Sequence, residues 1–311
     1  MAAEHYQGAA ELKSPVGPGQ KFIDIVDAHV HFWNTERLSY PWLAECGDLN
    51  APMLPERLEQ EIASIDTEVP YRIKGFVQVQ ADCDPAQTFD EIAWVQGYAQ
   101  SYPLMGMVAY APLEDGAKAE DFLARLGENP FVKGVRRSTQ NEPEDFILRP
   151  GYLEGLAELE QHGLSADICG RGFQLPNVIQ ALSTLRERGG KTRIVLDHAG
   201  KPSIPDHPFK QWQTDIAKLA EIPDVYCKLS GLLAECTDGQ WSESRIRPYL
   251  ETALETFGVD RVLFSGDWPI VKFVNAEYKD WVEVVYATIS QAGEDAVRKV
   301  FCDNAIHIYG L

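Results

Sequence analysis

The most constraining feature of this 311-residue sequence is a regular alternation of two patterns. Short segments rich in β-branched residues predict buried strands, and longer segments with apolar residues every three or four positions predict amphipathic helices. The strand patterns number eight, at 22–31, 73–80, 104–109, 131–137, 164–169, 192–198, 225–230 and 261–265. At least one helix pattern follows each strand pattern, and two follow the last, at 278–290 and 294–302. Eight such units in a chain of this length predict an α/β fold, a single (β/α)₈ TIM barrel.

The alternative fold is a doubly wound sheet, which shares the strand-helix alternation. No Gly-x-Gly-x-x-Gly follows any of the strand patterns, so the phosphate-binding turn of that fold is not indicated. Residues 1–20 include Pro15, Gly17 and Pro18 and predict a disordered lead-in. The predicted barrel domain therefore covers residues 21–311.

The charge balance restricts the kind of partner. The sequence has 28 Lys and Arg against 47 Asp and Glu, a formal charge of −19, which disfavours nucleic acids and anionic membranes. No apolar run is long enough to span a bilayer, and the six cysteines include no Cys-x-x-Cys pair. These features predict a cytoplasmic protein with reduced thiols that acts on a small molecule. The sequence leaves open whether the protein forms a homo-oligomer.

Histidine and carboxylate side chains recur where the predicted strands end. His29 and His31 share one face of the first strand, His198 ends the sixth strand, and Asp267 follows the eighth. A His-x-His pair alone is more typical of core or edge histidines than of a site, and Asp267 could cap a turn. Because the carboxyl ends of barrel strands meet at one end, and buried polar groups need partners, the four together predict an active site.

Several phrases resemble a known family. Asp27-Ala-His-Val-His31, with His198 and Asp267, resembles the amidohydrolase superfamily. The longer phrases at 27–33, 133–136, 197–202, 227–231 and 266–269 resemble its sugar-lactonase branch, which includes L-fuconolactonase and L-rhamnonolactonase. The resemblance spans residues 22–311 and implies an amidohydrolase-like barrel that opens an aldonolactone to the aldonic acid.

The sequence departs from the two-metal members of that superfamily. Those members use a carboxylated lysine on the fourth strand and a histidine on the fifth, where this chain has Arg136-Arg137 and Asp167-Ile-Cys169. Two metals are therefore not expected. Either no metal is required, or one divalent ion, zinc by ligand type, binds His29, His31, His198 and Asp267.

The resemblance also suggests roles for individual residues. Asp267 is expected to activate water and to return the proton to the leaving oxygen, while His29, His31 and His198 polarise the carbonyl directly or through one metal. A further set is expected to bind the sugar through polar contacts or an apolar face. These substrate-binding candidates are Arg136, Lys228, Gln80, Trp33 and Trp268. For the two tryptophans, packing within loops explains their presence equally well.

Three alternative functions remain at this point. The first is a metal-dependent decarboxylase of the same superfamily. The second is a lactonase for aromatic-derived dicarboxylate lactones, for which Arg136, Arg137 and Arg171 would supply positive charge. The third is a barrel without catalytic activity that binds sugars, which would keep the pocket but would not need Asp267.

Overall fold

The computed structural model describes residues 11–311, which form one curled, mostly parallel sheet surrounded by helices. Within this range the sheet contains nine strands. They are β1 Leu12–Lys13, β2 Ile23–Val30, β3 Tyr71–Val79, β4 Leu104–Ala109, β5 Val132–Arg136, β6 Ser165–Ile168, β7 Ile194–Leu196, β8 Val225–Leu229 and β9 Val262–Phe264. The eight strands expected from the sequence are confirmed as β2 to β9, with ends that shift by at most two residues.

The helices alternate with these strands as expected. They are α1 Pro55–Ser64, α2 Thr88–Tyr98, α3 Glu120–Gly127, α4 Pro150–Glu158, α5 Leu175–Glu187, α6 Phe209–Glu221, α7 Glu243–Phe257, α8 Tyr278–Ile289, α9 Glu294–Arg298 and α10 Asn304–Tyr309. Each of the strands from β2 to β8 pairs in parallel with the next one along the chain, so the carboxyl ends of β2 to β9 lie on one side. No helix between residues 11 and 311 is long and apolar enough to cross a bilayer.

Hydrogen bonds join β2 to the segment that follows β9. The backbone N–H of Asp267 donates to the His29 carbonyl at 2.8 Å, and the N–H of His31 donates to the Trp268 carbonyl at 2.8 Å. The Asp27 carboxylate adds a third link by accepting from the N–H of Gly266 at 2.8 Å. These bonds bring the His-x-His pair beside Asp267.

Helix α10 lies at the amino ends of the strands. Its Ala305, Ile308 and Tyr309 join an apolar cluster with inward-facing side chains such as Val26 and Val195. The Ile308 carbonyl accepts from Arg193, which directly precedes β7. The sequence predicted a single helix over 294–302. Instead, a π-helical turn at Lys299–Asp303 connects α9 to α10, because burial of this apolar face extends the helix.

The expectation of a disordered lead-in is wrong for part of residues 11–20. β1 pairs antiparallel with β3 opposite Arg72 and Ile73, and Leu12 is buried. β4 pairs with β3 only from Phe76 onwards, so the beginning of β3 has a free edge that β1 occupies. Residues 1–10 lie outside the described residues.

Candidate active site

A cavity of about 210 Å³ is lined by residues from the carboxyl ends of the strands. His31, His198 and Asp267 are among its lining residues, as is Arg136. His29 is fully buried in contact with them: its Nε2 lies 3.0 Å from His31 Nε2. The four residues predicted to be catalytic are therefore brought together, although they lie up to 238 positions apart in the sequence.

Hydrogen bonding determines the proton positions on the His-x-His pair. His31 Nδ1 lies 2.8 Å from the Val79 carbonyl, which can only accept, so Nδ1 carries the proton and Nε2 has a lone pair. Burial lowers the pKa of His31 to about 3 and lowers that of His29 well below its usual range. Both rings are neutral near pH 7. His29 Nε2 must then supply the proton in its contact with His31 Nε2.

Asp267 faces both rings. Its Oδ1 lies 3.8 Å from His29 Nε2 and 3.6 Å from His31 Nε2, and it has no hydrogen-bond partner among residues 11–311. Burial raises the pKa of Asp267 to about 7, against the opposing effect of Lys201 and Arg136. A carboxyl group with this pKa can accept a proton and return it near neutral pH.

The third histidine is held by a turn with unusual backbone angles. His198 has a φ of +53° and its Nδ1 lies 2.9 Å from Ser230 Oγ and 3.6 Å from Asp267 Oδ2. The neighbouring Gly231 has a φ of +66°, and a Cβ atom there would lie 2.7 Å from His198 Nδ1. Glycine at 231 therefore leaves room for the imidazole.

Lys228 does not occupy the position expected of a substrate contact. Its side chain is completely buried beneath His29, where Nζ contacts Asp167, lies 3.0 Å from Asp197 Oδ1 and lies 3.2 Å from His29 Nδ1. Burial opposes the charge on Lys228, but the two carboxylates outweigh it, so the pKa of Lys228 lies above its usual value. Lys228 therefore contacts His29 inside the protein and does not line the cavity.

The tryptophans predicted to face the sugar are also buried structural residues. Trp33 Nε1 donates to the Ala51 carbonyl at 2.9 Å, and Trp268 Nε1 donates to Glu61 Oε2 at 3.0 Å. Both side chains have no exposed surface. The two tryptophans therefore pack within loops, which is the alternative that the sequence had left open.

The remaining two substrate-binding candidates differ. Arg136 lines the cavity, and its Nη2 donates to the Gln80 carbonyl at 2.6 Å while Nη1 lies 3.5 Å from Asp197 Oδ2. The Gln80 side chain instead bonds Asp82, donating to its Oδ1 at 2.9 Å. Gln80 thus supports Asp82, which is the residue that lines the cavity.

Sequence reasoning missed several lining residues. Lys201 lies three positions after His198 and forms an ion pair with Glu235 at 2.6 Å. Trp42 and Phe273, which are 36% and 47% exposed, add apolar surface to the cavity. Trp33 and Trp42 lie in the same segment between β2 and α1, and the sequence does not show which of the two lines the cavity.

The donor set fits a single divalent ion. His29, His31 and Asp267 offer ligand atoms within 4.8 Å of one another, as do His29, Asp197 and His198. The buried Asp267 Oδ1, which has no hydrogen-bond donor in the described part of the chain, faces the lone pair on His31 Nε2. Neutral imidazoles and a carboxylate are ligands that zinc prefers. For His29 to ligate through Nε2, its proton would have to move to Nδ1, where Asp197 Oδ1 lies 3.3 Å away, and Lys228 could no longer donate to that nitrogen.

Comparison with known proteins gives consistent matches. The family model described as Amidohydrolase matches residues 26–311. An L-fucono-1,5-lactonase from Burkholderia ambifaria is 26% identical over 298 residues, which cover 92% of this chain and 95% of that protein.

Two solved structures are also similar. An amidohydrolase from Burkholderia multivorans with bound zinc has a TM-score of 0.77 at 25% identity, covering 92% of this chain and 99% of that one. A probable 2-pyrone-4,6-dicarboxylic acid hydrolase from Acinetobacter baumannii, with citric acid bound, has a TM-score of 0.67 at 15% identity, covering 92% and 99%. At that identity the second similarity concerns the fold alone.

Proposed function

The chain belongs to the amidohydrolase family, and we propose that it is a lactonase that opens an uncharged sugar lactone to the aldonic acid. The observation that carries this proposal is the buried Asp267 carboxyl, which faces three histidines, lines the cavity and has a pKa of about 7. Lactone hydrolysis needs a base for water, a donor to the carbonyl oxygen and an acid for the leaving alkoxide. The cavity offers a group for each requirement.

Asp267 carries the proton through the reaction. In its ionised form it removes a proton from water as the oxygen attacks the lactone carbonyl. The carbonyl π electrons move to oxygen, which becomes a tetrahedral oxyanion. When the oxyanion collapses, the bond to the ring oxygen breaks, and the protonated Asp267 gives its proton to that oxygen. The products are a free hydroxyl group and a carboxylic acid.

The histidines have different parts in this scheme. When substrate and water displace the contact between the two Nε2 atoms, His29 Nε2 would donate its proton to the oxyanion and the lone pair of His31 Nε2 would accept from the attacking water. His198, which lines the cavity beside Asp267, is placed to donate to the carbonyl oxygen when Ser230 donates to its Nδ1. A zinc ion held by His29, His31, His198 and Asp267 would act as a Lewis acid at the carbonyl.

The charges around the cavity favour an uncharged substrate. Arg137 is engaged by Glu114 and Glu142 at 2.7 Å each. Arg171 donates to the Gln140 carbonyl at 3.1 Å. Neither arginine lines the cavity.

The two basic residues that do line the cavity already face carboxylates. Lys201 pairs with Glu235, and Arg136 lies near Asp197. A dicarboxylate lactone would require cations without such partners. The polar side chains of Asp82 and Asn141 suit sugar hydroxyl groups, and Trp42 and Phe273 offer apolar surface to the ring.

A panel of lactones tests the proposal. We expect acid release from at least one six-carbon aldonolactone at a kcat/KM more than about a hundredfold above that for 2-pyrone-4,6-dicarboxylate. We expect this difference because Lys201 and Arg136 already face carboxylates, so among residues 11–311 the cavity has no unpaired cation for the dicarboxylate. Acid release is followed with an indicator in weak buffer. Preference for the dicarboxylate would favour a lactonase for aromatic-derived dicarboxylate lactones, and release of CO₂ from an aromatic acid would favour a decarboxylase. Either result contradicts the proposal.

The rate of hydrolysis should increase with pH below neutrality. Because Asp267 must be ionised to act as a base and its pKa is raised to about 7, we expect kcat/KM to increase roughly tenfold per unit between pH 5 and 6.5 and to level off above about pH 8. The lysine and arginine of the cavity stay charged over this range. A pH-stat assay without added buffer measures the profile. A rate that is flat from pH 5 to 8 would contradict the role of Asp267.

We further propose that the fold is a closed (β/α)₈ barrel comprising residues 21–311. The backbone bonds between β2 and residues 267–268 support closure, because they pair the first long strand with the segment after the last one. The six cysteines are free thiols in the structure, which supports a reducing compartment such as the cytoplasm.

A further inference from the structure

A chain of buried polar contacts runs from α10 to the catalytic histidines. The hydroxyl of Tyr309 donates to the Asp167 carboxylate, with distances of 3.0 and 2.9 Å to its two oxygens. Asp167 contacts Lys228 Nζ, and Lys228 Nζ lies 3.2 Å from His29 Nδ1. All four residues are at least 96% buried. The chain therefore connects the amino ends of the strands, where α10 packs, to the floor of the cavity.

Lys228 determines which nitrogen of His29 carries the proton, because its ammonium group can only donate hydrogen bonds. An ammonium group has three N–H donors and no acceptor. Lys228 Nζ has three neighbours within 3.2 Å, namely Asp167, Asp197 and His29 Nδ1. It donates to Asp167 and to His29 Nδ1, and it forms an ion pair with Asp197. His29 Nδ1 must be the bare nitrogen of the ring, and the proton of the neutral imidazole then resides on Nε2.

The opposite side of the ring gives the same result independently. His31 Nε2 has a lone pair because Nδ1 of that ring donates to the Val79 carbonyl at 2.8 Å. Two bare nitrogens would repel at the observed 3.0 Å, so His29 Nε2 needs a proton. Arg136 Nη1 lies 3.4 Å from His29 Nε2 and could donate to a bare nitrogen there, but this contact is longer and Nη1 also faces Asp197.

A competing acceptor makes the arrangement depend on Lys228. Asp197 Oδ1 lies 3.3 Å from His29 Nδ1 and would accept a proton from it if Lys228 did not donate there. We propose that Tyr309 and Asp167 are positioning residues that hold Lys228 against His29 Nδ1 and so keep the His29 proton on Nε2, facing His31 Nε2. The catalytic consequence rests on the lactonase proposal, because the Nε2 proton is the donor to the oxyanion.

The first test replaces Tyr309 with Phe, which keeps the ring and removes the hydroxyl. Loss of a supporting hydrogen bond to a catalytic group typically costs about 10- to 100-fold, so we expect kcat to fall about tenfold with KM unchanged within about twofold. The matched control is Tyr152→Phe, since Tyr152 is equally buried and its hydroxyl donates at 3.1 Å to the Arg137 carbonyl, away from His29. A loss of stability without a change in kcat, or equal losses in both variants, would overturn the positioning role.

The second test reads the tautomer directly and needs no substrate. In protein labelled with ¹⁵N at histidine, the protonated and bare ring nitrogens have well-separated shifts, and the His29 signals are those missing from His29→Gln. We expect His29 to be protonated at Nε2 in the wild type. In the double variant Lys228→Met/Asp167→Asn, which removes one charge of each sign, the proton should be found on Nδ1, facing Asp197.

The spectra separate the two proposals. A wild-type His29 protonated at Nδ1, or a tautomer that stays the same in the double variant, would overturn the inference even if lactones are hydrolysed. The expected tautomer change in a protein that hydrolyses no lactone would leave the positioning role of Lys228 intact and would refute only the lactonase proposal.

Discussion

Replacement of Asp267 with Asn is expected to reduce kcat for lactone hydrolysis by roughly a thousandfold, with KM changed less than about threefold. Asparagine retains the shape and the backbone bond from residue 267 to the His29 carbonyl, so the cavity keeps its form. The amide cannot take a proton from water or give one to the ring oxygen. The residual rate should also lose its increase between pH 5 and 7, since no group with a pKa near 7 remains at that position.

Asp215→Asn provides the control for this substitution. Asp215 is also buried, but it lies on α6 and accepts from Gln211 Nε2 at 2.9 Å, outside the cavity. We expect this variant to keep a kcat within twofold of the wild type. If Asp267→Asn retains more than about a tenth of the wild-type rate while folding normally by circular dichroism, Asp267 is not the base.

The largest expected effect on stability concerns Asp27. Its Oδ1 accepts from the N–H of His29 at 2.9 Å and of Gly266 at 2.8 Å, and its Oδ2 accepts from the Tyr278 hydroxyl at 2.9 Å. Replacement with Ala leaves these three buried donors without their acceptor. At about 1 to 3 kcal/mol for each unmet group, we expect the free energy of unfolding to fall by about 3 to 5 kcal/mol in urea denaturation.

The matched variant is Asp27→Asn. Its amide oxygen can still accept from both backbone N–H groups, and the Tyr278 hydroxyl can rotate to accept from the amide nitrogen. Burial raises the pKa of Asp27 to about 6, so the charged carboxylate is itself costly above that pH. We therefore expect Asn to cost less than about 1 kcal/mol at pH 7. Equal losses for Ala and Asn would show that the negative charge matters more than the acceptors.

The arrangement of strands was predictable because alternation is a local property of the sequence. Each strand from β2 to β9 is a short run of apolar and β-branched residues, and each helix has its own apolar period. The grouping of His29, His31, His198 and Asp267 followed from one topological rule, that parallel strands in a barrel end on the same side. Neither prediction required knowledge of a single side-chain contact.

The prediction failed where the direction of a side chain depends on tertiary packing. Lys228 lies at the end of a strand, as a substrate contact would, but Asp167 and Asp197 from two neighbouring strands hold it beneath His29. Trp33 and Trp42 occur in the same loop, and only the fold decides that the first is buried and the second lines the cavity. Such choices depend on neighbours that are remote in sequence.

The contact between Tyr309 and Asp167 has a consequence for how the protein is made. The two residues are separated by 142 positions, and Asp27 bonds Tyr278 across 251 positions. During translation, β2 to β8 leave the ribosome well before the segments that complete the floor of the cavity. The nascent chain therefore holds Lys228 and its carboxylates without their final covering until α10 has emerged. Translation arrest shortly before residue 309 should yield a chain that lacks the contact between Tyr309 and Asp167 at the floor of the cavity.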